Sequence, residues 1–277
     1  MSKPAPGHKD AVYHTECTGY ALETVKAHSS PSEQTLFGAC FCPFVHRVWI
    51  ALEYLEAPYQ YREVDPYKKP ADLLELNPKG LVPALKLVNG KGLSESTVIL
   101  EYIDEKYGGA SGKSLLPPLS DPYERALYRL AVDKTNRNLI PSFYRYLQAQ
   151  EVEAQLEGAK EFTAHLSDFV RTMSTSPTSA GFWDGQSLSI VDCTVAPWLY
   201  RATNVLRHFR GFDPQQLLEA DVFERWSKWT QAVFGLDAFK ATTSTDELYL
   251  DSYVRYAQNR PMTSQVADAI NKGRGLP

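Results

Sequence analysis

The sequence predicts an α/β domain followed by an all-helical domain. Between residues 31 and 110, short β-prone runs alternate with apolar residues at helical spacing. In the same segment, the pair Asn89-Gly90 between two apolar runs favours a β-hairpin turn. From residue 121 almost to the end, the pattern is helical. The chain has 277 residues, of which 43% are hydrophobic, so it is long enough to bury a core in each domain.

Composition and charge narrow the classes of partner. The formal charge of −4 gives no electrostatic reason to expect nucleic acid or an anionic membrane, so a small molecule is favoured. Four cysteines are too few for a fold built on disulfides, and they lack the paired spacing of a metal site. The first residues have no apolar signal-peptide core, and no run approaches the about 18 apolar residues of a membrane span. We therefore expect a cytoplasmic protein with no stable membrane insertion.

The first elements follow an N-terminal extension. Residues 1–30 predict this extension, with a mobile beginning, because they contain few apolar positions. The β-prone run at residues 35–37 predicts the first strand, which Gly38 closes. A helix follows from Pro43, whose missing N–H would be unpaired anyway at a first helical position. Apolar side chains at helical spacing predict one buried face on this helix: Val45, Val48, Leu52 and Leu55.

Cys42 lies just before the start of this helix. Unpaired N–H groups and the helix dipole favour an anion there, and thiols so placed titrate at about 3.5 to 7.5 instead of about 8.5. We therefore expect a thiolate at neutral pH, and the alternative is a buried, inert cysteine. His46 and Arg47, one turn into the helix, are expected to face solvent or a domain contact.

A strand followed by Cys-Pro-aromatic-x at a helix start is similar to the redox site of thioredoxins and glutaredoxins. In this chain, however, Val45 occupies the position of their second cysteine. A thiolate without a second cysteine nearby needs an outside thiol to complete a reaction, and glutathione is the obvious candidate.

The rest of the first domain is predicted as strand, helix, hairpin and helix. Residues 59–64 predict the second strand of a right-handed βαβ unit. Pro70 can open a short helix that ends before residue 77, and residues 80–88 predict the strand that enters the hairpin. Glu95 and Ser96 stand at the entry to the last helix, where ordinary capping is the alternative to a role in ligand binding.

Residues 111–120 predict a linker, because glycine and a proline pair interrupt the pattern. The helical domain, residues 121–260, starts with Asp121 as a cap, and Pro141 should kink its first helix. A second long helix is expected at about residues 152–173. Ser189 and Asp192 form the pattern of a capping box at the start of a third, apolar helix. Later helices are expected at residues 220–233 and 247–258, and residues 261–277 form a tail for which the sequence supports no structural prediction.

Three segments, CPFVHRVWIALE, NPKGLVPAL and SES, resemble the amino-terminal domain of omega-class glutathione transferases, including fungal omega-like members. The capping box resembles that of the buried helix in the helical domain of the same family. The resemblance implies the glutathione transferase architecture: an α/β thioredoxin-like N-terminal domain at residues 31–110, with the order βαβαββα, and an all-α C-terminal domain. It also implies an active site in the cleft between the two domains.

The resemblance assigns the chemistry to Cys42 as the catalytic residue. It also implies that the Val82-Pro83 peptide bond is cis and that the Val82 backbone pairs with the cysteinyl part of glutathione. Sequence alone does not establish the cis bond, because only about one X-Pro bond in twenty is cis.

The two ends of glutathione suggest further partners. The γ-glutamyl carboxylate suits the Ser96 hydroxyl and the helix N–H groups, the ammonium suits Glu95, and Lys69 would complement the glycine carboxylate. The full set implied to bind glutathione is Phe44, Lys69, Val82, Pro83, Glu95 and Ser96. By the same resemblance, the second-substrate pocket would contain Trp198, Arg201 and Tyr128. Core packing of Trp198 and a surface ion pair of Arg201 are the alternatives.

The implied function is a glutathione-dependent thiol transferase or reductase that works through a cysteine–glutathione mixed disulfide. Glutathione would be the co-substrate, without a metal, and the second substrate would be a small hydrophobic or glutathionylated molecule. A homodimer is expected. Two other classes stay open: a carrier of aromatic or polyphenolic compounds, and a soluble chloride-channel-like protein, which shares the Cys-Pro-Phe helix start. A redox role for Cys40 is a weaker alternative, because a disulfide with Cys42, only two residues away, would be strained. A metal held by Cys40, Cys42 and His46 is also a weaker alternative, because no fourth ligand is in sight.

Overall fold

The computed structural model describes residues 13–110 and 112–277, which form two compact units. The first unit contains the chain up to Leu115 together with Leu236–Ser252, and the second contains Leu116–Gly235 and Tyr253–Pro277. Residues 1–12 of the predicted extension and residue 111 of the predicted linker lie outside the described residues. The predicted helical domain, residues 121–260, is divided, because residues 236–252 group with the first unit.

The described residues form strands in the first part of the chain and helices throughout. In chain order, the elements are α1 (Gly19–Ala27), β1 (Gln34–Gly38), α2 (Pro43–Tyr54), β2 (Gln60–Glu63), α3 (Ala71–Leu76), β3 (Ala84–Leu87), β4 (Gly92–Ser94), α4 (Ser96–Tyr107), α5 (Pro122–Lys134), α6 (Ile140–Gln148), α7 (Val152–Arg171), α8 (Ile190–Arg201), α9 (Arg207–Arg210), α10 (Pro214–Leu217), α11 (Ala220–Gly235), α12 (Asp237–Ala241), α13 (Asp246–Ala257) and α14 (Gln265–Asn271). Two π-helical turns, Thr135–Leu139 and Ala202–Leu206, precede α6 and α9. No helix of the described part is both long and apolar enough to cross a membrane.

The first unit is built on a four-stranded mixed sheet in the order β2-β1-β3-β4. Strand β1 is parallel to β2 and antiparallel to β3, and Leu36 lies opposite both Tyr61 and Leu85. Helix α2 makes the crossover between the parallel strands, and its predicted apolar face is buried: Val45, Val48, Leu52 and Leu55. The predicted thioredoxin-like order βαβαββα is therefore confirmed.

The hairpin turn forms where the sequence predicts it. The Gly90 N–H donates to the carbonyl oxygen of Leu87 at 2.9 Å, and Gly90 has a φ of +79°. A glycine suits this conformation because a Cβ would be strained there. The turn ends β3 and sends the chain back as β4.

The described part of the extension packs within the first unit. Helix α1 lies against α12, and Thr24 Oγ1 donates to the carbonyl oxygen of Ala241 at 2.6 Å. The Thr18 N–H donates to Ser244 Oγ at 3.2 Å, and His14 pairs with Asp251 at 3.1 Å. Residues 236–252 therefore help to hold the start of the described chain.

The second unit is helical, and two sequence predictions explain its local structure. Ser189 and Asp192 form the expected capping box at the start of α8, and Trp229 Nε1 donates to the same Asp192 carboxylate at 2.6 Å. Pro141 has no N–H for the carbonyl four residues earlier, and the π-helical turn ends just before α6, in which Pro141 is the second residue. The expected irregularity is therefore a π turn at the entry to α6.

The predicted tail contains a helix, α14. Gln148 Nε2 donates to Asn271 Oδ1 at 2.9 Å, and Asn271 Nδ2 donates to Asn259 Oδ1 at the same distance. These amide contacts join α6 to α14. Local sequence patterns do not reveal contacts between residues so far apart in the chain.

Candidate active site

Cys42 is the N-cap residue of α2. Its own N–H donates to the carbonyl oxygen of Ala39 at 2.9 Å, and Pro43 takes the first helical position. The thiol sulfur lies 3.7 Å from the carbonyl oxygen of Val82 and donates to it. Of the four cysteines, Cys42 alone is partly exposed, because the other three are buried. The inert, fully buried alternative therefore does not describe this thiol.

The loop before β3 presents the Val82 backbone to this thiol. The Val82-Pro83 peptide bond is cis, as the resemblance implied. Asn77, which is buried, donates from Nδ2 to the carbonyl oxygen of Leu81 at 3.1 Å, and this bond fixes the loop one residue before Val82. Sequence patterning alone does not identify this side-chain anchor.

The side chain of Lys69, just before α3, lies close to Gly80, which belongs to the loop before β3. Its Nζ donates to the carbonyl oxygen of Lys79 at 3.1 Å, and partial burial lowers its pKa. A Cβ built at Gly80 would lie 2.5 Å from Lys69 Cδ, and Gly80 has a φ of +62°. Glycine at this position therefore leaves space for the lysine side chain as well as allowing the left-handed backbone.

Glu95 and Ser96 lie at the start of α4. Glu95 is the exposed N-cap residue, and its φ of +70° is unusual for a residue other than glycine. Ser96 is buried as the first helical residue, and its Oγ accepts a hydrogen bond from Arg47 Nη1 at 3.1 Å. A strained backbone of this kind persists where the surrounding structure holds it in place, and such strain is common at ligand sites.

Arg47 and His46 are buried, so of the two expected alternatives, solvent or a domain contact, exposure to solvent is excluded. Arg47 reaches Ser96 on α4, and its guanidinium lies 5.2 Å from the centroid of the Phe44 ring. A hydrogen bond of 3.1 Å joins His46 Nε2 to Thr242 Oγ1 next to α12. The missed signal is the width of the apolar face, which covers most sides of α2 and leaves no polar side for these two residues.

The thiols of Cys17 and Cys40 and the carboxyl of Glu63 form a second group beside the end of β1. Cys40 donates to the carbonyl oxygen of His14 at 3.3 Å, and burial raises the pKa values of both Cys40 and Cys17. Glu63 Oε2 accepts from the Cys17 N–H at 3.3 Å, and burial raises the pKa of Glu63 to about 7. Because protonated, buried thiols are poor nucleophiles, these contacts weigh against a redox role for Cys40.

The residues predicted for the second substrate lie in the second unit. Trp198 and Arg201 have no exposed surface, and Arg201 Nη1 donates to the carbonyl oxygen of Pro197 at 2.8 Å. Core packing of Trp198 is therefore favoured, while Arg201 is too deeply buried for a surface ion pair. Tyr128 is also buried, and its hydroxyl donates to Asp184 Oδ2 at 3.1 Å. The structure thus brings Trp198 and Arg201 together on α8 but gives neither a surface for a ligand.

The described residues contain no group of three or more His, Cys, Asp or Glu side chains that could hold a metal ion. Cys40, Cys42 and His46 therefore do not form such a group. The groups that the first unit offers for chemistry are the partly exposed thiol of Cys42, the carbonyl oxygen of Val82 and the buried hydroxyl of Ser96 at the start of α4.

Comparisons with known proteins agree with this geometry. The family model described as glutathione S-transferase, N-terminal domain, matches residues 41–106, and the corresponding C-terminal domain model matches residues 146–232. The crystal structure of glutathione transferase Omega 3C from Trametes versicolor has a TM-score of 0.77 and 34% sequence identity, and the comparison covers 88% of this chain and 98% of that chain.

Two protein sequences are also similar. Glutathione S-transferase omega-1 from Sus scrofa is 32% identical over 162 residues, which are 58% of this chain and 64% of the pig protein. The match thus spans slightly less than two thirds of that relative. A protein from Oryza sativa subsp. japonica, named probable glutathione S-transferase DHAR1, cytosolic, is 28% identical over 207 residues, or 74% of this chain and 85% of the rice protein.

Proposed function

This chain belongs to the glutathione transferase family, with glutathione as its co-substrate, and on that premise we propose that it is an omega-like thiol transferase whose catalytic nucleophile is Cys42. The observation that carries the proposal is the position of the Cys42 thiol. It is the one partly exposed thiol of the chain, it caps α2, and its sulfur lies 3.7 Å from the Val82 carbonyl oxygen. The positive end of the α2 dipole favours the ionised form of a thiol at this position.

The proposed reaction is a two-step thiol–disulfide exchange. The Cys42 thiolate attacks the glutathione sulfur of a glutathionylated substrate, and the substrate leaves as a thiolate that takes up a proton. The enzyme then carries a Cys42–glutathione disulfide. A second glutathione thiolate attacks the glutathione sulfur of this disulfide, which releases the Cys42 thiolate and oxidised glutathione. Val45 at the usual position of a second cysteine means that the outside thiol must complete the cycle.

We propose the same glutathione-binding residues as the sequence predicts. The Val82 backbone, next to Pro83, would pair with the cysteinyl part, and Lys69 above Gly80 would face the glycine carboxylate. At the start of α4, the Ser96 hydroxyl and the helix N–H groups would receive the γ-glutamyl carboxylate, and Glu95 would receive the ammonium. Phe44, two residues after Cys42 at the start of α2, would cover the peptide.

The identity of the second substrate and the assembly also belong to this proposal. We propose a small hydrophobic or glutathionylated second substrate and a cytoplasmic homodimer, for which light scattering would give about twice the chain mass of 31.1 kDa. The name of the rice relative includes the word cytosolic. That Trp198, Arg201 and Tyr128 wall the second-substrate pocket stays a prediction, and their burial weighs against direct contact with a ligand.

Mass spectrometry after incubation with oxidised glutathione tests the proposal. We expect a single glutathione adduct, and peptide mapping should place it on Cys42. The adduct should disappear when reduced glutathione is added. An adduct mainly on Cys40 or Cys193, or no adduct on Cys42, would overturn the assignment of the nucleophile.

A further inference from the structure

Arg47 is a charged side chain in the core of the first unit. It lies five residues after Cys42 on α2, and only 1% of its surface is exposed. Burying a guanidinium costs free energy unless its N–H groups are satisfied by well-placed partners. An apolar residue would fill the same face of α2 without that cost, so the interactions of Arg47 need an explanation.

The contacts of Arg47 connect two elements of the proposed glutathione site. Its Nη1 donates to Ser96 Oγ on α4 at 3.1 Å, across 49 residues of sequence. Its guanidinium carbon lies 5.2 Å from the centroid of the Phe44 ring, within the range of a cation–π interaction. Both contacted residues are proposed to touch glutathione, whereas Arg47 itself is too deeply buried to do so.

The direction of the hydrogen bond determines what Ser96 can do. A guanidinium only donates, so the Ser96 oxygen must accept from it, and the single hydroxyl proton of Ser96 stays available for another acceptor. A hydroxyl that accepts from a cation is polarised and becomes a stronger donor. At the start of α4, where the helix dipole already favours an anion, this donor suits a carboxylate.

We propose that Arg47 is a positioning residue for the γ-glutamyl carboxylate of glutathione, acting through the Ser96 hydroxyl. This inference rests on the proposed function, because it specifies how the same site recognises one end of its co-substrate. Arg47 sets the orientation and donor strength of the Ser96 hydroxyl. Without Arg47, the hydroxyl can rotate, and its proton is no longer directed outward.

Calorimetric titration with three peptides separates this role from a structural one. Glutathione carries the carboxylate and the ammonium, 4-aminobutanoyl-cysteinylglycine lacks the γ-glutamyl carboxylate, and glutaryl-cysteinylglycine lacks the ammonium. The full-length protein and Arg47→Met are titrated with each under reducing conditions. We expect Arg47→Met to weaken glutathione and the glutaryl peptide about tenfold, and to change the affinity for the 4-aminobutanoyl peptide less than twofold.

Two further variants complete the design. Arg125 is another buried arginine, whose Nη1 donates to the Pro117 carbonyl oxygen in the second unit, so Arg125→Met controls for the general effect of removing a buried guanidinium. It should leave all three affinities unchanged. In a Ser96→Ala background, Arg47→Met should cause no further loss for glutathione, because the route through the hydroxyl is already absent.

The outcomes distinguish the hypotheses. Equal losses for all three peptides, or additive losses in Ser96→Ala, would overturn the positioning role and leave Arg47 as a structural residue of α2. If Arg47→Met does not fold, Arg47→Lys keeps the charge but changes the donor geometry, and it should show the same carboxylate-specific loss on a smaller scale. A uniform effect of the lysine variant would also overturn the inference. If the unmodified protein binds no glutathione, the proposed function fails as well, whereas a normal Cys42 adduct with no carboxylate-specific effect removes only this inference.

Discussion

The Cys42 sulfur lies 3.7 Å from the carbonyl oxygen of Val82, although 40 residues separate the two in sequence. One atom belongs to the cap of α2 and the other to the loop that enters β3. A peptide that places its own sulfur against Cys42 therefore has main-chain hydrogen-bonding groups beside it. This arrangement joins the proposed chemical step to the proposed binding of the peptide.

Cys42→Ser should reduce thioltransferase turnover to below about 1% of the parent value but leave glutathione binding largely intact. A serine hydroxyl stays protonated at neutral pH and cannot form the disulfide intermediate. The measurement is reduction of a glutathionylated peptide, with calorimetry for binding. Cys40→Ser is the matched control and should keep its turnover, because Cys40 is buried. Substantial turnover by Cys42→Ser would show that another residue carries the reaction.

Glu95→Ala should weaken glutathione about ten- to a hundredfold. The substitution removes the carboxylate proposed to pair with the γ-glutamyl ammonium, and a charge-assisted hydrogen bond contributes about 1.5 to 3 kcal/mol. Calorimetric titration measures the loss. Glu105→Ala, on an exposed position of the same helix α4, should leave the affinity unchanged. Equal effects of the two substitutions would mean that only the overall charge of the helix matters.

Gly80→Ala should weaken glutathione up to about fivefold through displacement of Lys69, whose partly exposed charge contributes modestly. The new Cβ would lie 2.5 Å from Lys69 Cδ. Gly90→Ala is the control, because Gly90 also has positive φ, but no atom of the described residues lies within 4 Å of its Cβ position. Both variants should lose about 1–2 kcal/mol of stability from backbone strain. A loss of affinity in Gly90→Ala as well would attribute the effect to strain and not to Lys69.

Glu63→Gln should flatten the pH dependence of stability. Burial raises the pKa of Glu63 to about 7 from its ordinary value of 4.5, so the folded protein holds this proton more tightly than the unfolded chain does. The free energy of unfolding therefore falls as pH rises from about 4.5 to 7, by at most about 1.4 kcal/mol per pH unit for this group, and levels off above that range. Glutamine has no proton to lose and removes this decrease.

Urea denaturation at a series of pH values measures the effect. The difference in unfolding free energy between Glu63→Gln and the parent should grow from pH 4.5 to 7. Glu75→Gln, at an exposed position on α3, should follow the parent curve. Parallel curves for the parent and Glu63→Gln would mean that the folded and unfolded states share one pKa for this carboxyl.

Local patterns in the sequence were sufficient to predict much of the first unit. The helical spacing of Val45, Val48 and Leu52 predicts a buried face on α2, and Asn89-Gly90 predicts the turn between β3 and β4. In each case neighbouring residues determine the structure, so no knowledge of distant contacts is needed. The capping box at Ser189 and Asp192 was predictable for the same reason.

The buried polar contacts were not predictable, because each depends on a distant partner. Arg47 is ordinarily a surface residue type, and Ser96 lies on another helix. His46 meets Thr242 across 196 residues, and no periodicity connects them. In the candidate site, the roles of Cys42 and Pro83 could be predicted from short sequence segments. The contacts of Asn77 with Leu81 and of Arg47 with Ser96 could be recognised only in the folded chain.

The return of residues 236–252 to the first unit has a consequence for synthesis on the ribosome. Amino-terminal domains generally fold first as the chain emerges. Here the first unit lacks the partners of Thr18, Thr24 and His46 until residues 241–244 have been made. While the intervening helices are translated, the surface that residues 241–244 will contact therefore stays uncovered on the first unit. Completion of the first unit thus requires translation as far as residue 244.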